Sequence, residues 1–180
     1  MKKGLFLDRD GIINKNFGYV HKPEDTSYLD GIGELINVAK KNNFYIIVIT
    51  NQSGIARGFY TENQFHSYMN WMKKDLNEKF SNTFDSYYYC PHHPKEGKNG
   101  YLKNCSCRKP GKLLFEIAYK NHNINLSNSL MLGDSLSDIE ASIKVGIKKN
   151  FILSEKKFYN AISIKKVNDF KLISQLNSIK

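Results

Sequence analysis

The chain has 180 residues, 41% of them hydrophobic, and a formal charge of 27 − 17 = +10. That length and apolar content suit one domain with one core and exclude a chain disordered throughout. No apolar run approaches the roughly 20 residues that span a bilayer. Only three of the 27 basic residues are arginine (Arg9, Arg57 and Arg108), and the scattered lysines read as a solvated surface rather than a nucleic-acid footprint.

Gly4 to Leu7 is a short apolar run, a candidate buried strand. Lys2 and Lys3 precede only this run, far short of a signal-peptide core, so a cytoplasmic protein is expected. Residues 31–42 show helical spacing at Ile32, Leu35, Ile36 and Ala39, with Asp30 at the expected N-cap. Phe44 to Ile49 is rich in β-branched residues and predicts a fully buried strand. Thr61 and Gln64 form a capping box that opens a helix to about Phe80. Phe84 to Tyr89 reads as a third strand and Lys112 to Asn121 as a helix. Ser129 to Leu132 reads as a strand, and Ser135 to Val145 as a helix stopped by Gly146. Phe151 to Leu153 is expected to be the last core strand. The tail, about 154–180, is expected to end in a loosely packed helix near 170–179.

Strand and helix alternate about five times. This predicts an α/β fold over residues 1–180, a Rossmann-like parallel sheet with helices on both faces. Ligands of such sheets bind beyond the carboxyl ends of the strands. Four strand ends carry polar groups suited to an anion and a cation. Asp8-Arg9-Asp10-Gly11 offers two carboxylates; a calcium loop is excluded because its required Gly and Glu positions hold Ile13 and Tyr19. Thr50-Asn51-Gln52-Ser53 offers a hydroxyl and turn donors. Arg108 and Lys109 stand where a helix opens, which favours a phosphate. Gly133-Asp134-Ser135-Leu136-Ser137-Asp138 adds carboxylates, of which Asp134 could serve only as an N-cap and Asp138 only as a dipole partner. Together these groups suit phosphoryl transfer, with Mg²⁺ on oxygen ligands and a carboxylate nucleophile.

The three cysteines sit in one stretch, Cys90-x-His92, then twelve residues, then Cys105-x-Cys107. Three thiols cannot pair off within one chain, and four soft donors in two close pairs suit Zn²⁺ in a closed structural site. His92 and His93 compete for the fourth place; the equal one-residue gap favours His92. Four protein ligands leave no position for a reacting water, so a catalytic zinc is disfavoured.

The order DxDG, strand plus TN, Lys before a helix and GDxxxD resembles the haloacid-dehalogenase-like (HAD) phosphatases. The segments FLDRDGIIN, GYVHKPED, VITNQSGIARGFYTENQF, YYCPHHP, CSCRKPG and MLGDSLSDIEA are more closely similar to the D-glycero-D-manno-heptose 1,7-bisphosphate 7-phosphatases, over nearly the whole chain to about residue 153. The resemblance implies Asp8 as nucleophile and Asp10 as acid and base. It implies Mg²⁺ on Asp8, the Asp10 carbonyl and Asp134. Thr50 and Lys109 would hold the phosphoryl oxygens, and Arg108 the rest of the substrate. Asn16, Phe17, Gly18, Tyr19, Asn51, Gln52, Ser53 and Ser135 would line the sugar site, with His21 nearby and Asp138 behind it. The zinc ligands would be Cys90, His92, Cys105 and Cys107. Ile12 departs from the family's usual Thr after DxDG.

The resemblance also implies a monomer acting on a phosphorylated sugar, with no nucleic-acid or membrane partner, in nucleotide-activated heptose biosynthesis for cell-surface polysaccharide. Histidinol-phosphate phosphatase shares the DxDG motif and the zinc loop and is the nearest rival. A polynucleotide phosphatase would suit the charge but leaves the zinc loop unexplained. A zinc-containing nucleic-acid-binding module leaves Asp8, Asp10 and Asp134 unexplained. The stretches between Asp10, Thr50 and Lys109 leave no room for a cap domain of about 50 residues. The zinc loop, 90–107, is then expected to be a short substitute wall.

Overall fold

The computed structural model describes residues 1–98 and 100–179. Six parallel strands form one sheet: β1 (Lys2–Leu7), β2 (Phe44–Asn51), β3 (Ser86–Cys90), β4 (Ile124–Gly133), β5 (Lys149–Leu153) and β6 (Ile162–Ile164). Their order is β3-β2-β1-β4-β5-β6. The chain winds outward from β1 to β3, then returns across β1 to lay down β4, so the β1/β4 junction is the switch point of the sheet.

The helices are α1 (Ile32–Lys41), α2 (Ser53–Arg57), α3 (Glu62–Phe80), α4 (Leu113–His122), α5 (Leu136–Lys144) and α6 (Phe170–Ser178). Side chains alternate across the sheet, so Leu5 and Leu7 enter one cluster and Phe6 the other. The first cluster is covered by Ile32, Leu35, Phe65, Met69, Leu172 and Leu176, from α1, α3 and α6. The second is covered by Leu114, Phe115, Ala118 and Ala141, from α4 and α5. Among the described residues no helix is long and apolar enough to cross a membrane.

Thr61 and Gln64 form both halves of the capping box that starts α3. The α1 cap differs from the expectation: Gly31, not Asp30, is the N-cap, with a left-handed φ of 88° and no side-chain cap. The third strand starts at Ser86 rather than Phe84. Phe151 to Leu153 is not the last core strand, because β6 pairs outside it. Nor is the tail loose: Leu172 and Leu176 of α6 are fully buried. Burial of such side chains stabilises by about 1.5–3 kcal/mol each.

Candidate active site and Cys/His centre

A cavity of about 390 Å³ opens at the carboxyl ends of β1, β2 and β4. Its walls carry Asp8, Asp10, Asn16, Gly18, Tyr19, Thr50, Asn51, Gln52, Ser53, Lys109, Asp134 and Ser135, all expected from the sequence. Tyr60, Ser137 and Asp138 also line it. Two expected residues do not. Phe17 is 67% exposed and faces a neighbouring groove. Arg108 lies in a groove with Lys103 and Lys144, and its Nη1 donates to the His92 carbonyl oxygen at 3.3 Å. His21 is also outside the cavity wall, stacked on Tyr60 at 4.5 Å between ring centroids.

Lys109 is the hub of the acidic end. It is 4% exposed, and its Nζ donates to Asp8 Oδ1 at 2.8 Å and to the Ile49 carbonyl oxygen at 2.6 Å. Nζ also lies 2.5 Å from Asp138 Oδ1, an ion pair without the alignment of a hydrogen bond. Asn51 pins the Lys109 backbone from both sides, accepting from its N–H at 3.0 Å and donating to its carbonyl at 3.2 Å. Asp138 is therefore not a bystander behind the site. It starts α5 by accepting from the Ser135 N–H at 3.0 Å, and Ser135, not Asp134, is the N-cap residue. That leaves the Asp134 carboxylate free to face Asp8.

Two glycines make the convergence possible. Gly11 has φ of 88°, and a Cβ there would lie 2.1 Å from Asp134 Oδ2. A Cβ at Gly133 would lie 2.4 Å from Asp138 Cβ. Only glycine lets these backbones pass so close to the carboxylates.

Carboxylate oxygens of Asp8, Asp134 and Asp138 lie within 4.8 Å of one another. Ionised, they carry −3 against +1 on Lys109, a balance of −2. Burial, opposed by Lys109 and helped by the other two aspartates, pushes Asp8 up to about 7. Burial and then Asp138 push Asp134 up to about 6. Burial would lower the Lys109 pKa, but Asp138 and Asp8 outweigh it and raise it. An all-oxygen cluster with this surplus of negative charge fits a hard divalent cation such as Mg²⁺.

Asp10 is held differently. Its carboxylate accepts from Arg9 Nη2 at 2.7 and 2.8 Å, Arg9 Nε at 3.2 Å, Asn14 Nδ2 at 3.0 Å and Gln52 Nε2 at 3.1 Å. Arg9 is wholly buried, lies over the rings of Phe65 and Tyr68, and donates to the Val20 carbonyl at 2.7 Å.

At the other centre, the sulfurs of Cys90, Cys105 and Cys107 lie 3.1 to 3.5 Å apart with no disulfide. His92 Nδ1 is 3.3 Å from Cys107 Sγ and 3.7 Å from Cys90 Sγ. His93 points away: its Nδ1 accepts from the Lys95 and Glu96 N–H groups at 3.3 and 3.0 Å. Three thiols and one imidazole converging on a point fit a four-coordinate Zn²⁺ with no open position.

Residues 106–166 match the family model described as HAD-hydrolase-like. A D-glycero-β-D-manno-heptose-1,7-bisphosphate 7-phosphatase of Haemophilus ducreyi is 39% identical over 93% of this chain and 91% of its own. Its namesake from Helicobacter pylori is 40% identical over 94% of both chains. The chain belongs to the heptose-bisphosphate phosphatase family of HAD-like phosphatases. Among solved structures, a HAD-like phosphatase of Mesorhizobium loti aligns with TM-score 0.88 and 25% identity, covering 99% of this chain and 87% of that one. A D,D-heptose 1,7-bisphosphate phosphatase of B. bronchiseptica, solved with magnesium and phosphate, shares the fold with TM-score 0.81 and 24% identity over 97% and 98%.

Among the side chains that hold Asp10 and Gln52, sequence reasoning missed three. Arg9 carried a signal, being one of only three arginines and flanked by two aspartates. Asn14 and Tyr60 carried none. They lie in a turn and after a helix, and only the folded chain brings them to Asp10 and Gln52.

Proposed function

We propose that the chain hydrolyses the 7-phosphate of a D-glycero-D-manno-heptose 1,7-bisphosphate, through an aspartyl phosphate on Asp8, in the biosynthesis of nucleotide-activated heptose. The observation that carries this is identity of about 40% to curated heptose-bisphosphate phosphatases over nearly the whole chain, joined to a nucleophile–lysine–carboxylate cluster at the switch point. The chain works as one domain, its zinc-braced loop standing in for a cap.

Asp8 attacks phosphorus; its oxygen–phosphorus bond forms as the bond to the sugar oxygen breaks, and Asp10 gives that oxygen a proton. Water then attacks the same phosphorus, Asp10 takes its proton, and Asp8 is released with inorganic phosphate. Lys109 and the Thr50 hydroxyl hold the phosphoryl oxygens as negative charge shifts among them. Asp8, Asp134 and the Asp10 carbonyl would hold Mg²⁺, which would offset repulsion between carboxylate and incoming phosphate dianion. Asp138, buried beside Lys109, keeps that lysine charged and aimed. Asn16, Gly18, Tyr19, Asn51, Ser53 and Ser135 face the sugar, and Arg108 recognises the remainder of the substrate from its adjoining groove. Zn²⁺ on Cys90, His92, Cys105 and Cys107 would be structural.

The test is phosphate release, with Mg²⁺ supplied, from the α and β anomers of heptose 1,7-bisphosphate, from fructose 1,6-bisphosphate and from histidinol phosphate. The heptose bisphosphates are expected to give the highest kcat/KM. Equal or faster turnover of histidinol phosphate would overturn the substrate. Both anomers belong in the assay because a 40% identical relative from Photorhabdus laumondii carries the α name.

A further inference from the structure

Gln52 sits in the turn that faces the sugar, yet its amide has no donor left to offer one. Nε2 donates one hydrogen to Asp10 Oδ2 at 3.1 Å and the other to Thr50 Oγ1 at 2.8 Å. Oε1 accepts from the Tyr60 hydroxyl at 2.6 Å. The residue is 2% exposed, and its backbone N–H is tied to the Cys90 carbonyl at 2.8 Å. Tyr60 is itself 4% exposed and held by the stacked His21 ring. Both ends of the amide are thus spent inside the protein, and its orientation is fixed by three partners at once.

We infer that Gln52 is a positioning residue of the reacting centre, not a sugar-binding residue. It joins the acid/base Asp10 to the phosphoryl-holding Thr50 through one rigid amide. The inference rests on the roles proposed above for those two residues. The chemistry follows from donor counting. Because the Thr50 oxygen accepts from Gln52, the Thr50 hydroxyl hydrogen is free to point at a phosphoryl oxygen. Because Gln52 donates to Asp10 Oδ2 beside Arg9, while Arg9 and Asn14 hold Oδ1, that carboxylate is held where the leaving oxygen departs. A glutamine left free in this turn would rotate to solvent and release both. Tyr60 selects which end of the amide faces Asp10, but two acceptors on Nε2 already favour the same orientation, so its share is small.

The experiment compares Gln52→Met, the isosteric Gln52→Glu and Tyr60→Phe on two substrates: heptose 1,7-bisphosphate and glycerol phosphate, an alkyl ester without the ring. Gln52→Met is expected to lower kcat by about 10- to 100-fold, the range for loss of hydrogen bonds to a charged group. KM should stay within about twofold, and the loss should be similar for both substrates, because it strikes the reacting groups they share. Gln52→Glu, which sets a carboxylate against Asp10, should lose more, and Tyr60→Phe only about two- to fivefold. A rise in KM at unchanged kcat, or a loss confined to the heptose substrate, overturns the inference and makes Gln52 a sugar contact. Unchanged kinetics overturn it as well. Should the methionine variant not fold, the glutamate variant decides by the same split. A wrong heptose assignment would show instead as poor wild-type turnover of the sugar bisphosphate alone, leaving the Gln52 effect on glycerol phosphate intact.

Discussion

The acidic end of the sheet and the Cys/His loop meet at Arg108 and Lys109, but they are built by opposite means. Asp8, Thr50 and Asp134 come from three separate strand ends and Lys109 from the loop before α4, and they converge only because the sheet is wound as it is. Cys90, His92, Cys105 and Cys107 come from a single loop of under twenty residues and sit on one point. The first centre buries like charges together: burial, opposed by Lys109 and helped by Asp138 and Asp134, pushes Asp8 up to about 7. The second gathers soft donors whose natural partner is a metal that closes the site. One site stores electrostatic strain for chemistry; the other removes freedom from the loop that delivers Lys109.

That contrast is broken first at Asp8. Asp8→Asn should abolish turnover by about 10⁴-fold or more, since no other group replaces a nucleophile. It should leave the fold intact, because the substitution removes a repelled buried carboxylate. Thermal unfolding and phosphate release together check this; residual turnover near wild type would sink the covalent route. Next is Lys109→Met. It strips from Asp8 and Asp138 the one cation paired with them among the described residues, and breaking a buried pair costs about 3–5 kcal/mol. Activity should fall by about 10²–10³-fold, and urea unfolding should show the loss of stability. Asp8→Asn and Lys109→Met therefore differ in stability far more than in activity.

Cys105→Ser probes the other centre. Zinc content by elemental analysis should drop to background. The fold should lose about 3 kcal/mol, or roughly 6–12 °C in Tm. Turnover should fall less than in Lys109→Met, since the loop affects catalysis through the aim of its neighbours. Complete loss of turnover in a variant that still folds would make the metal catalytic and erase the difference between the centres.

Legibility in the sequence follows the same divide. The strand-end motifs were readable because each joins a short apolar run to a polar pair, and the parallel fold then says where such pairs meet. The Cys/His set was readable because its spacing is local. The separate directions of Arg108 and Lys109 were not legible, because adjacency is not shared direction: Lys109 enters the cavity and Arg108 lies in the adjoining groove against the His92 carbonyl. Asp138 looked like a simple dipole partner at the start of α5, and only the approach of Lys109 from a distant loop gives it an ionic role. The tail was misjudged because the burial of Leu172 and Leu176 depends on α1 and β6 being in place.

The smallest effect separates the two centres by pH. Asp8, at about 7, and Asp134, at about 6, hold their protons more tightly in the folded chain than their ordinary value of 3.8 allows when unfolded. Between about pH 4 and 7 the native state therefore binds more protons than the unfolded one, so stability must fall as pH rises through that window. Below it both states are protonated and nothing is lost; above it the repulsion is fully expressed. Mg²⁺ held by the ionised carboxylates would reverse this. Without added Mg²⁺, Tm should decline by a few degrees from pH 5 to pH 8, and Mg²⁺ should raise Tm little at pH 5 but clearly at pH 8. Asp8→Asn should remove most of that Mg²⁺-dependent difference, whereas Cys105→Ser should lower both curves and leave their separation unchanged. A Mg²⁺ increment that does not grow with pH, or that vanishes in Cys105→Ser, would mean the cation acts elsewhere than on the strained carboxylates.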